Sequence, residues 1–358
     1  MAARFAASPS GDLGDPRPLP PHATSEVLTR YRRLMEPALR QAVTSLHPWG
    51  AHMAAFTLGW SDIDGTPLDE HGGKSLRPAL AMLCAQAAGS PPDSAVPGAL
   101  AVELVHAFSL VHDDIIDSDE RRRHRDAVWK AFGVGPAVLT GDALLALAIS
   151  RLAATDNSIA MGYLSRALVE LVHGQTEDMA FENRPWNGDD AVTAEEYSGM
   201  AARKTGALLG CAAAVGTALG GGSAAQAERM YGMGRSLGLA YQMVDDLLGI
   251  WGDPAVTGKP VYSDLRAGKK TLPVLSALAA DDPAAGKLED LLLTGDLDDD
   301  TVRLAADLIE AAGGADVTRE LAARHAGLAV EALGACFPGA TELHELRDLC
   351  ELIVNRSH

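Results

Sequence analysis

ELVHAFSLVHDDIIDSDERRR, residues 103–123, is the stretch that decides the fold class and locates the first candidate site. Val102 directly precedes this stretch. Counted from it, the residues at successive intervals of four, three, four and four are His106, Ser109, Asp113 and Asp117. Side chains with this spacing share one face of an α-helix. The stretch therefore predicts a helix, beginning near Pro97, whose polar face ends in a cluster of carboxylates that also includes Asp114.

The composition of the whole chain favours an all-α protein. Of its 358 residues, 47% are hydrophobic but only 5% are aromatic. Alanine and leucine dominate, which suits helices better than sheets. Residues 1–24 are rich in proline and glycine and predict a disordered tail. From Ser25, a predicted helix cap, to residue 358 we expect one helical domain with no second domain.

Charge and cysteine content exclude several classes of protein. A formal net charge of -18 argues against a nucleic-acid partner, because phosphate backbones are bound by basic surfaces. The four cysteines lack CxxC spacing, so they predict neither a zinc site nor a disulfide framework, and a reducing cytoplasm is expected. The uncharged residues 205–227 are mostly small, and we interpret them as a buried helix rather than a membrane span.

A second acidic cluster repeats the first in another apolar run. YQMVDDLLGIWGD, residues 241–253, places Asp245 and Asp246 one helical turn from Gln242. Paired aspartates inside a buried helix are costly unless a cation compensates them. Two such clusters on facing helices could share divalent ions. Mg²⁺ is favoured because it binds one or two carboxylates and completes its shell with water and substrate phosphates.

A simpler interpretation of the first cluster remains open at this point. Residues 113–123 could be a solvated helix end, with i, i+4 ion pairs from Asp117 to Arg121 and from Asp119 to Arg123. Such pairs contribute only a few tenths of a kcal/mol each.

Basic residues adjoin both clusters. GGKSLRP (72–78) places Lys74 and Arg77 near a helix start, three arginines follow the first cluster, and ARKTG (202–206) opens the small-residue helix. TGKPVYSDLRAGKKT (257–271) follows the second cluster. In so acidic a chain, this placement predicts a diphosphate ligand that is bound by Mg²⁺ and by lysine or arginine side chains.

These segments resemble the trans-isoprenyl diphosphate synthases, also called polyprenyl synthetases. The resemblance rests on successive motifs in the family's order: GGKSLRP, ELVHAFSLVHDDIIDSDERRR, GDALLALA, GQTEDMAFE, KTGALL, YQMVDDLLGIWGDP and GKPVYSDLRAGKKTLP. They span about residues 70 to 275. The resemblance implies a single all-α bundle around a deep apolar cavity, usually a homodimer, that condenses an allylic diphosphate with isopentenyl diphosphate using Mg²⁺.

The resemblance also implies roles for individual residues. Those implied to act through magnesium on the allylic diphosphate are Asp113, Asp114, Asp117, Asp245 and Asp246. Those implied to contact that diphosphate directly are Arg122, Lys204 and Lys259, with Lys269 as a weaker candidate. Those implied to bind isopentenyl diphosphate are Lys74, Arg77, His106 and Arg123. Thr205 and Gln242 resemble the groups that line the developing carbocation. A lone histidine in an apolar helix is otherwise usually a core residue, and His106 could be one.

Three positions depart from the family pattern. Gly249 stands where the second motif often has its last aspartate, with Asp253 as a possible substitute, Ser75 replaces a common arginine, and His124 replaces a common glycine. These departures bear on metal affinity and fine specificity.

Product length is predicted from the residues that precede the first motif. Phe108 and Ser109 lie about a turn deeper along the helix than Asp113. In the family a large side chain there stops the growing chain. One aromatic beside a small residue resembles makers of geranylgeranyl diphosphate (C20), with farnesyl diphosphate as the next expectation. Phe108 could also be a simple core residue.

Two other functions stay open. A terpene cyclase on the same scaffold would need no second diphosphate, and retention of Lys74, Arg77 and His106 argues against it. A non-catalytic regulatory subunit should tolerate loss of its aspartates, yet the first motif is intact here.

Overall fold

The computed structural model describes residues 21–68, 75–122, 125–254, 260–295, 298–340 and 343–354. Residues 1–20 of the predicted tail lie outside these ranges. So do three of the predicted substrate-binding residues, Lys74, Arg123 and Lys259, together with His124.

Helices account for nearly all regular structure in the described ranges. Their bounds are α1 (Pro21–Thr44), α2 (Pro48–Thr57), α3 (Leu76–Ala87), α4 (Val96–Ile116), α5 (Val128–Phe132), α6 (Val134–Ala153), α7 (Ser158–Glu182), α8 (Ala194–Ala201), α9 (Ala207–Leu219), α10 (Ala224–Trp251), α11 (Ser263–Arg266), α12 (Leu272–Leu278), α13 (Pro283–Leu293), α14 (Asp299–Ala311), α15 (Gly314–Cys336) and α16 (Leu343–Val354). A 3₁₀ turn, Pro92–Ala95, precedes α4, and a π-helical segment, Ala202–Gly206, joins α8 to α9. The predicted all-α fold is confirmed.

The first helix begins earlier than the sequence suggested. Helix α1 starts at Pro21, whereas the prediction placed its cap at Ser25. Proline suits the first turn of a helix because its missing N–H would have no partner there. The last residues of the predicted tail therefore belong to the helix.

A short hairpin was not predicted. Strands β1 (Arg121–Arg122) and β2 (Arg125–Asp126) pair antiparallel, with Arg122 opposite Arg125. Two-residue strands leave no alternating pattern in a sequence. Because α4 ends at Ile116, the interpretation of residues 117–123 as a continuing helix with i, i+4 ion pairs is wrong.

Helix α10 is central to the bundle. It packs most extensively against α9 and α15, while α4 packs against α6 and α3 against α9. The main apolar core joins residues from α1, α3, α4, α6, α7, α9, α10, α15 and α16. A smaller cluster, formed by α8, α10, α12 and α15, lies beside the second acidic motif.

Helix α9 is buried along its length, as its small residues predicted. A Cβ placed on Gly216 would lie 2.0 Å from the carbonyl oxygen of Ala81 in α3. Real Cβ atoms do not approach this closely, so the two backbones touch only because residue 216 has no side chain.

Two other helical segments are long and apolar enough to cross a membrane by length and composition. They are Pro92–Ile116 and Val134–Ala153, and 56% and 39% of their apolar windows are buried inside the protein. Of residues 205–227, which were predicted to form a buried helix, Ala207–Leu219 form the buried helix α9.

We expect Gly216→Ala to destabilise the protein by about 1–3 kcal/mol, because the new methyl group overpacks the α3–α9 contact. The free energy of unfolding, measured in urea, checks this. Gly232→Ala is the matched control, since it lies in α10 with no atom within 4 Å of an added Cβ. It should be neutral or stabilising by about 0.4–1 kcal/mol. Equal effects at both positions would contradict the packing argument.

Candidate active site

The first acidic cluster lies at the C-terminal end of α4. Asp113 and Asp114 occupy its last turn, and Asp117 is the C-cap, whose backbone N–H donates to the carbonyl of Asp113. Ser118 follows in the left-handed conformation, with φ of 56°, and ends the helix. The chain then enters the hairpin, which returns Arg122 to the end of α4.

Asp114 is compensated by this arginine. Its carboxylate is buried, and Oδ1 lies 2.7 Å from Nε and 2.5 Å from Nη2 of Arg122. Burial raises the pKa of Asp114, and the hydrogen bond from Arg122 opposes that rise. A buried carboxylate without such a partner costs several kcal/mol. The protein itself therefore holds the charge of Asp114.

Asp113 is in a different situation, although it is the next residue. It is half-buried, and burial raises its pKa to about 6. The charge of Lys204 lowers the pKa, whereas that of Asp117 raises it. A carboxylate in this state is stabilised by any further cation that reaches it.

The second cluster lies near the end of α10 and has the same division. Asp246 is buried and accepts hydrogen bonds from the Tyr197 hydroxyl at 2.8 and 2.7 Å, from Nε2 of Gln242 at 2.9 Å and from the Leu272 N–H at 3.2 Å. Burial outweighs these donors and raises the pKa of Asp246 to about 7. Asp245, the preceding residue, is half-buried.

Asp264, a residue of the short helix α11, lies against the position where the second motif lacks an aspartate. A Cβ on Gly249 would lie 2.0 Å from Oδ2 of Asp264. The Tyr262 N–H donates to the Ile250 carbonyl at 3.0 Å, and Oγ of Ser263 donates to the Gly249 carbonyl at 3.2 Å. These contacts dock the loop on the last turn of α10. Asp264 is thus a carboxylate that contacts Gly249, and the suggestion of Asp253 as the substitute stays a prediction.

The π-helical segment Ala202–Gly206 carries Lys204 and Thr205. Helices α7 and α10 approach it closely because each has a glycine there. A Cβ on Gly174 would lie 2.3 Å from the Lys204 nitrogen, and one on Gly238 would lie 2.4 Å from Cα of Gly206. Such π-turns are frequent at functional sites. Packing from two sides therefore fixes the backbone positions of Lys204 and Thr205.

Two lysines link the acidic groups of different helices. Nζ of Lys204 lies 2.5 Å from Oδ2 of Asp178 in α7. Burial lowers the pKa of Lys269, but the charges of Asp264, Asp117 and Asp178 raise it above its ordinary value overall. One cation thus interacts with carboxylates from α11, α4 and α7. Asp117, at the end of the first motif, and Asp264, which lies against the second motif, therefore both act on Lys269, and a metal site shared by the two clusters stays a prediction.

The remaining predicted residues lie on α3 and α4. Arg77 is in the first turn of α3, two residues after the N-cap Ser75, whose φ is 49°. His106 is half-buried on the same face of α4 as Asp113, and its carbonyl accepts a hydrogen bond from the Ser109 hydroxyl at 3.0 Å. Phe108 packs partly against the main core, with its ring edge-to-face on His112 at 4.8 Å. Their roles stay predictions.

Sequence reasoning missed three residues of this site: Asp178, Tyr197 and Asp264. Asp178 and Asp264 lie inside motifs that were recognised for other reasons, and a search for every carboxylate in those motifs could have found them. Tyr197 lies outside all of the quoted motifs, and no pattern in the sequence marks it.

The side chains of this site supply only some of the ligands that a magnesium ion needs. Among the described residues, no three histidine, cysteine or acidic side chains converge closely enough to hold a metal ion alone. The half-buried carboxylates of Asp113 and Asp245 are nevertheless oxygen donors. This fits an ion that keeps waters and takes its remaining ligands from substrate phosphates.

Comparison with known proteins identifies the family of this chain. Residues 67–309 match the family described as Polyprenyl synthetase. A (2E,6E)-farnesyl diphosphate synthase of Mycobacterium tuberculosis is 42% identical over 353 residues, covering 94% of this chain and 97% of the relative. A geranylgeranyl diphosphate synthase of the same species is 39% identical over 361 residues, covering 99% and 98%.

A solved structure is similarly close. The polyprenyl synthetase of Streptomyces coelicolor A3(2) superposes with a TM-score of 0.86 at 44% identity, covering 92% of this chain and 99% of that one. The match in motifs, fold and overall length leads to one conclusion: the chain belongs to the polyprenyl synthetase family and is a trans-prenyltransferase of the short-chain prenyl diphosphate synthase type.

Proposed function

We propose that this enzyme condenses isopentenyl diphosphate with an allylic diphosphate, in the presence of Mg²⁺, to make geranylgeranyl diphosphate. The observation that carries the proposal is the group of carboxylates whose charges act on Lys269: Asp117 at the end of the first motif, Asp178 of α7, and Asp264, which lies against Gly249 of the second motif. These carboxylates, together with Lys204 on Asp178, suit a diphosphate bound through metal ions.

The five predicted metal-binding aspartates divide into two groups in this proposal. Asp113, Asp117 and Asp245 would hold the metal. Asp114 and Asp246 are buried and already engaged by protein donors, so we assign them to supporting their neighbours instead. When bound, Mg²⁺ would supply positive charge that stabilises the departing diphosphate.

Basic side chains would divide the two diphosphates between them. Lys204 and Lys269 lie among the acidic clusters and would bind the allylic diphosphate, with Arg122 and Lys259 as further predicted contacts. The predicted site for isopentenyl diphosphate comprises Lys74, Arg77, His106 and Arg123. Lys204 now pairs with Asp178, and an incoming diphosphate would offer it a second, more highly charged partner.

Thr205 and Gln242 would stabilise the allylic carbocation. Oγ1 of Thr205 donates to Oε1 of Gln242 at 2.7 Å. A hydroxyl that has donated its hydrogen keeps two lone pairs, which can face a positive charge. The apolar helices around the site would exclude water, which otherwise adds to such a cation.

A C20 product is favoured by Phe108 and Ser109, one bulky and one small residue before the first motif. Phe108 is held by the core and by His112, so it can act as a rigid floor. Farnesyl diphosphate is the second candidate, because the farnesyl diphosphate synthase relative is 42% identical and the geranylgeranyl diphosphate synthase relative 39%.

We also propose that the enzyme is a homodimer. Helices α6 and α7 are consecutive and expose large apolar side chains along their lengths: Val134, Val138, Leu139, Ile149, Ile159, Val169, Val172 and Met179. An apolar surface of this extent, on two adjacent helices, is typical of a subunit interface. A second copy can present the same surface about a twofold axis.

A reducing, cytoplasmic compartment stays a proposal. It is supported by the four cysteines, which are buried and form no disulfide.

The function is tested by incubating purified enzyme with Mg²⁺, labelled isopentenyl diphosphate and C5, C10 or C15 primers, then sizing the products. We expect a C20 product from every primer, and a C15 end product that is not extended would support the farnesyl alternative. Asp113→Asn should reduce turnover on the order of 10²-fold or more, because a charge that acts on the departing diphosphate is lost.

Glu120→Gln is the matched control for Asp113→Asn. It removes a carboxylate from the same segment, but that carboxylate is exposed and pairs with Lys130 at 2.7 Å. Turnover should stay near that of the wild type. Equal losses in the two variants would contradict the assignment of Asp113.

Phe108→Ala should lengthen the main product by one or more C5 units, because it removes the ring that would stop the growing chain. Chromatography of the dephosphorylated products measures this. Ile116→Ala, at an exposed position on the same helix, should leave chain length unchanged. Unchanged product length in a folded Phe108→Ala enzyme would refute the floor assignment.

Sedimentation velocity should give twice the chain mass of 37.4 kDa. Val172→Glu should shift the enzyme to monomer, because it places a charge in the apolar α6–α7 surface. Leu304→Glu changes a comparably exposed leucine on α14 and should remain dimeric. A wild-type monomer at micromolar concentration would end the proposal.

A further inference from the structure

Tyr197 contacts both the small apolar core and the second acidic motif. It is on α8, which runs directly into the π-helical segment that carries Thr205. Its ring is buried in the small core with Met243, Val244 and Leu272. Its hydroxyl lies within 2.8 Å of both carboxylate oxygens of Asp246.

Asp246 in turn fixes the orientation of the Gln242 side chain. Both oxygens of Asp246 accept from protein donors, and Nε2 of Gln242 is one of these donors, at 2.9 Å. The amide of Gln242 can therefore have only one orientation, because the opposite one would place its oxygen against a carboxylate. Its own oxygen must then face Thr205.

Gln242 in turn fixes the hydroxyl of Thr205. The oxygen of the amide accepts the Thr205 hydrogen at 2.7 Å. The chain of hydrogen bonds thus begins at Tyr197, crosses to α10 at Asp246 and Gln242, and returns to the π-helical segment at Thr205. It links one continuous helical stretch to α10 at two points.

We propose that Tyr197 is a positioning residue that, through Asp246 and Gln242, holds the lone pairs of Thr205 towards the allylic carbocation. This rests on the proposed function, because it assumes that the reaction ionises an allylic diphosphate. Asp246 then serves this chain of hydrogen bonds and is not a metal ligand.

The chemistry gives the role a distinctive signature. Ionisation breaks the allylic C–O bond and leaves a cation and diphosphate. In condensation, the double-bond electrons of isopentenyl diphosphate form the new C–C bond and a proton then leaves. If water adds first, its oxygen forms a C–O bond, it loses a proton, and an allylic alcohol results. A badly held Thr205 should slow condensation and increase the share of alcohol.

Tyr197→Phe is the test, because it removes one oxygen and keeps the buried ring. We expect kcat for condensation to fall roughly 10- to 100-fold, as for other residues that orient an active group. We expect changes of less than about threefold in the KM of each substrate and in the half-saturating Mg²⁺ concentration. Tyr197 is proposed to contact neither substrate and no metal ion. The fraction of allylic alcohol should rise.

Tyr163→Phe is the matched control. Its hydroxyl also donates to a carboxylate of α10, Glu228, at 2.9 Å, and its side chain is similarly buried. Condensation rate and alcohol fraction should equal those of the wild type. Thermal unfolding of both variants shows whether Tyr197→Phe loses more than the stability of one hydrogen bond.

Two further variants decide whether the chain acts as a unit. Asp246→Asn should reproduce the Tyr197→Phe phenotype without raising the Mg²⁺ requirement, whereas Asp245→Asn should raise it. The double variant Tyr197→Phe, Asp246→Asn should be no worse than the poorer single one, because both break the same chain. If Tyr197→Phe does not fold, the comparison of Asp246→Asn with Asp245→Asn still decides the assignment.

Three results would overturn the inference: wild-type kinetics in Tyr197→Phe, multiplied losses in the double variant, or an increased Mg²⁺ requirement in Asp246→Asn. These differ from failure of the proposed function, in which the wild-type enzyme itself would incorporate no isopentenyl diphosphate.

Discussion

The need to compensate buried carboxylates governs this structure more than any other constraint. Each acidic motif begins with two adjacent aspartates, and adjacent residues on a helix point about 100° apart. In both motifs the first aspartate is half-buried and the second is buried. The buried one is satisfied by the protein, by Arg122 in the first motif and by Tyr197, Gln242 and Leu272 in the second. The first aspartate keeps a partly exposed carboxylate, which the proposed function assigns to the metal.

This division explains why the surrounding elements lie where they do. The hairpin after α4 brings Arg122 into contact with Asp114. The left-handed conformation of Ser118 turns the chain before the hairpin. Helix α8 brings Tyr197 to Asp246 and continues into the π-helical segment with Lys204 and Thr205. Compensation of the buried charges and placement of the proposed catalytic groups are thus achieved by the same segments.

Much of this could be predicted from the sequence, because helical spacing is local. The all-α fold, the polar stripe on α4 and the second cluster on α10 follow from residues close together in the chain. The partners of Asp246 do not, since Tyr197 and Leu272 are far from it in sequence and no local pattern marks either residue. The hairpin was missed because its strands are too short for a pattern, and the role of Asp264 depends on a loop that folds back on α10.

The contact between Gly249 and Asp264 limits which residues position 249 of the second motif can accept. A side chain at position 249 would meet the Asp264 carboxylate at 2.0 Å. A lineage that acquires a larger residue at position 249 must therefore relocate the Asp264 carboxylate as well. Because two separate segments of chain meet at this point, a replacement at position 249 requires an accompanying shift of the segment that carries Asp264.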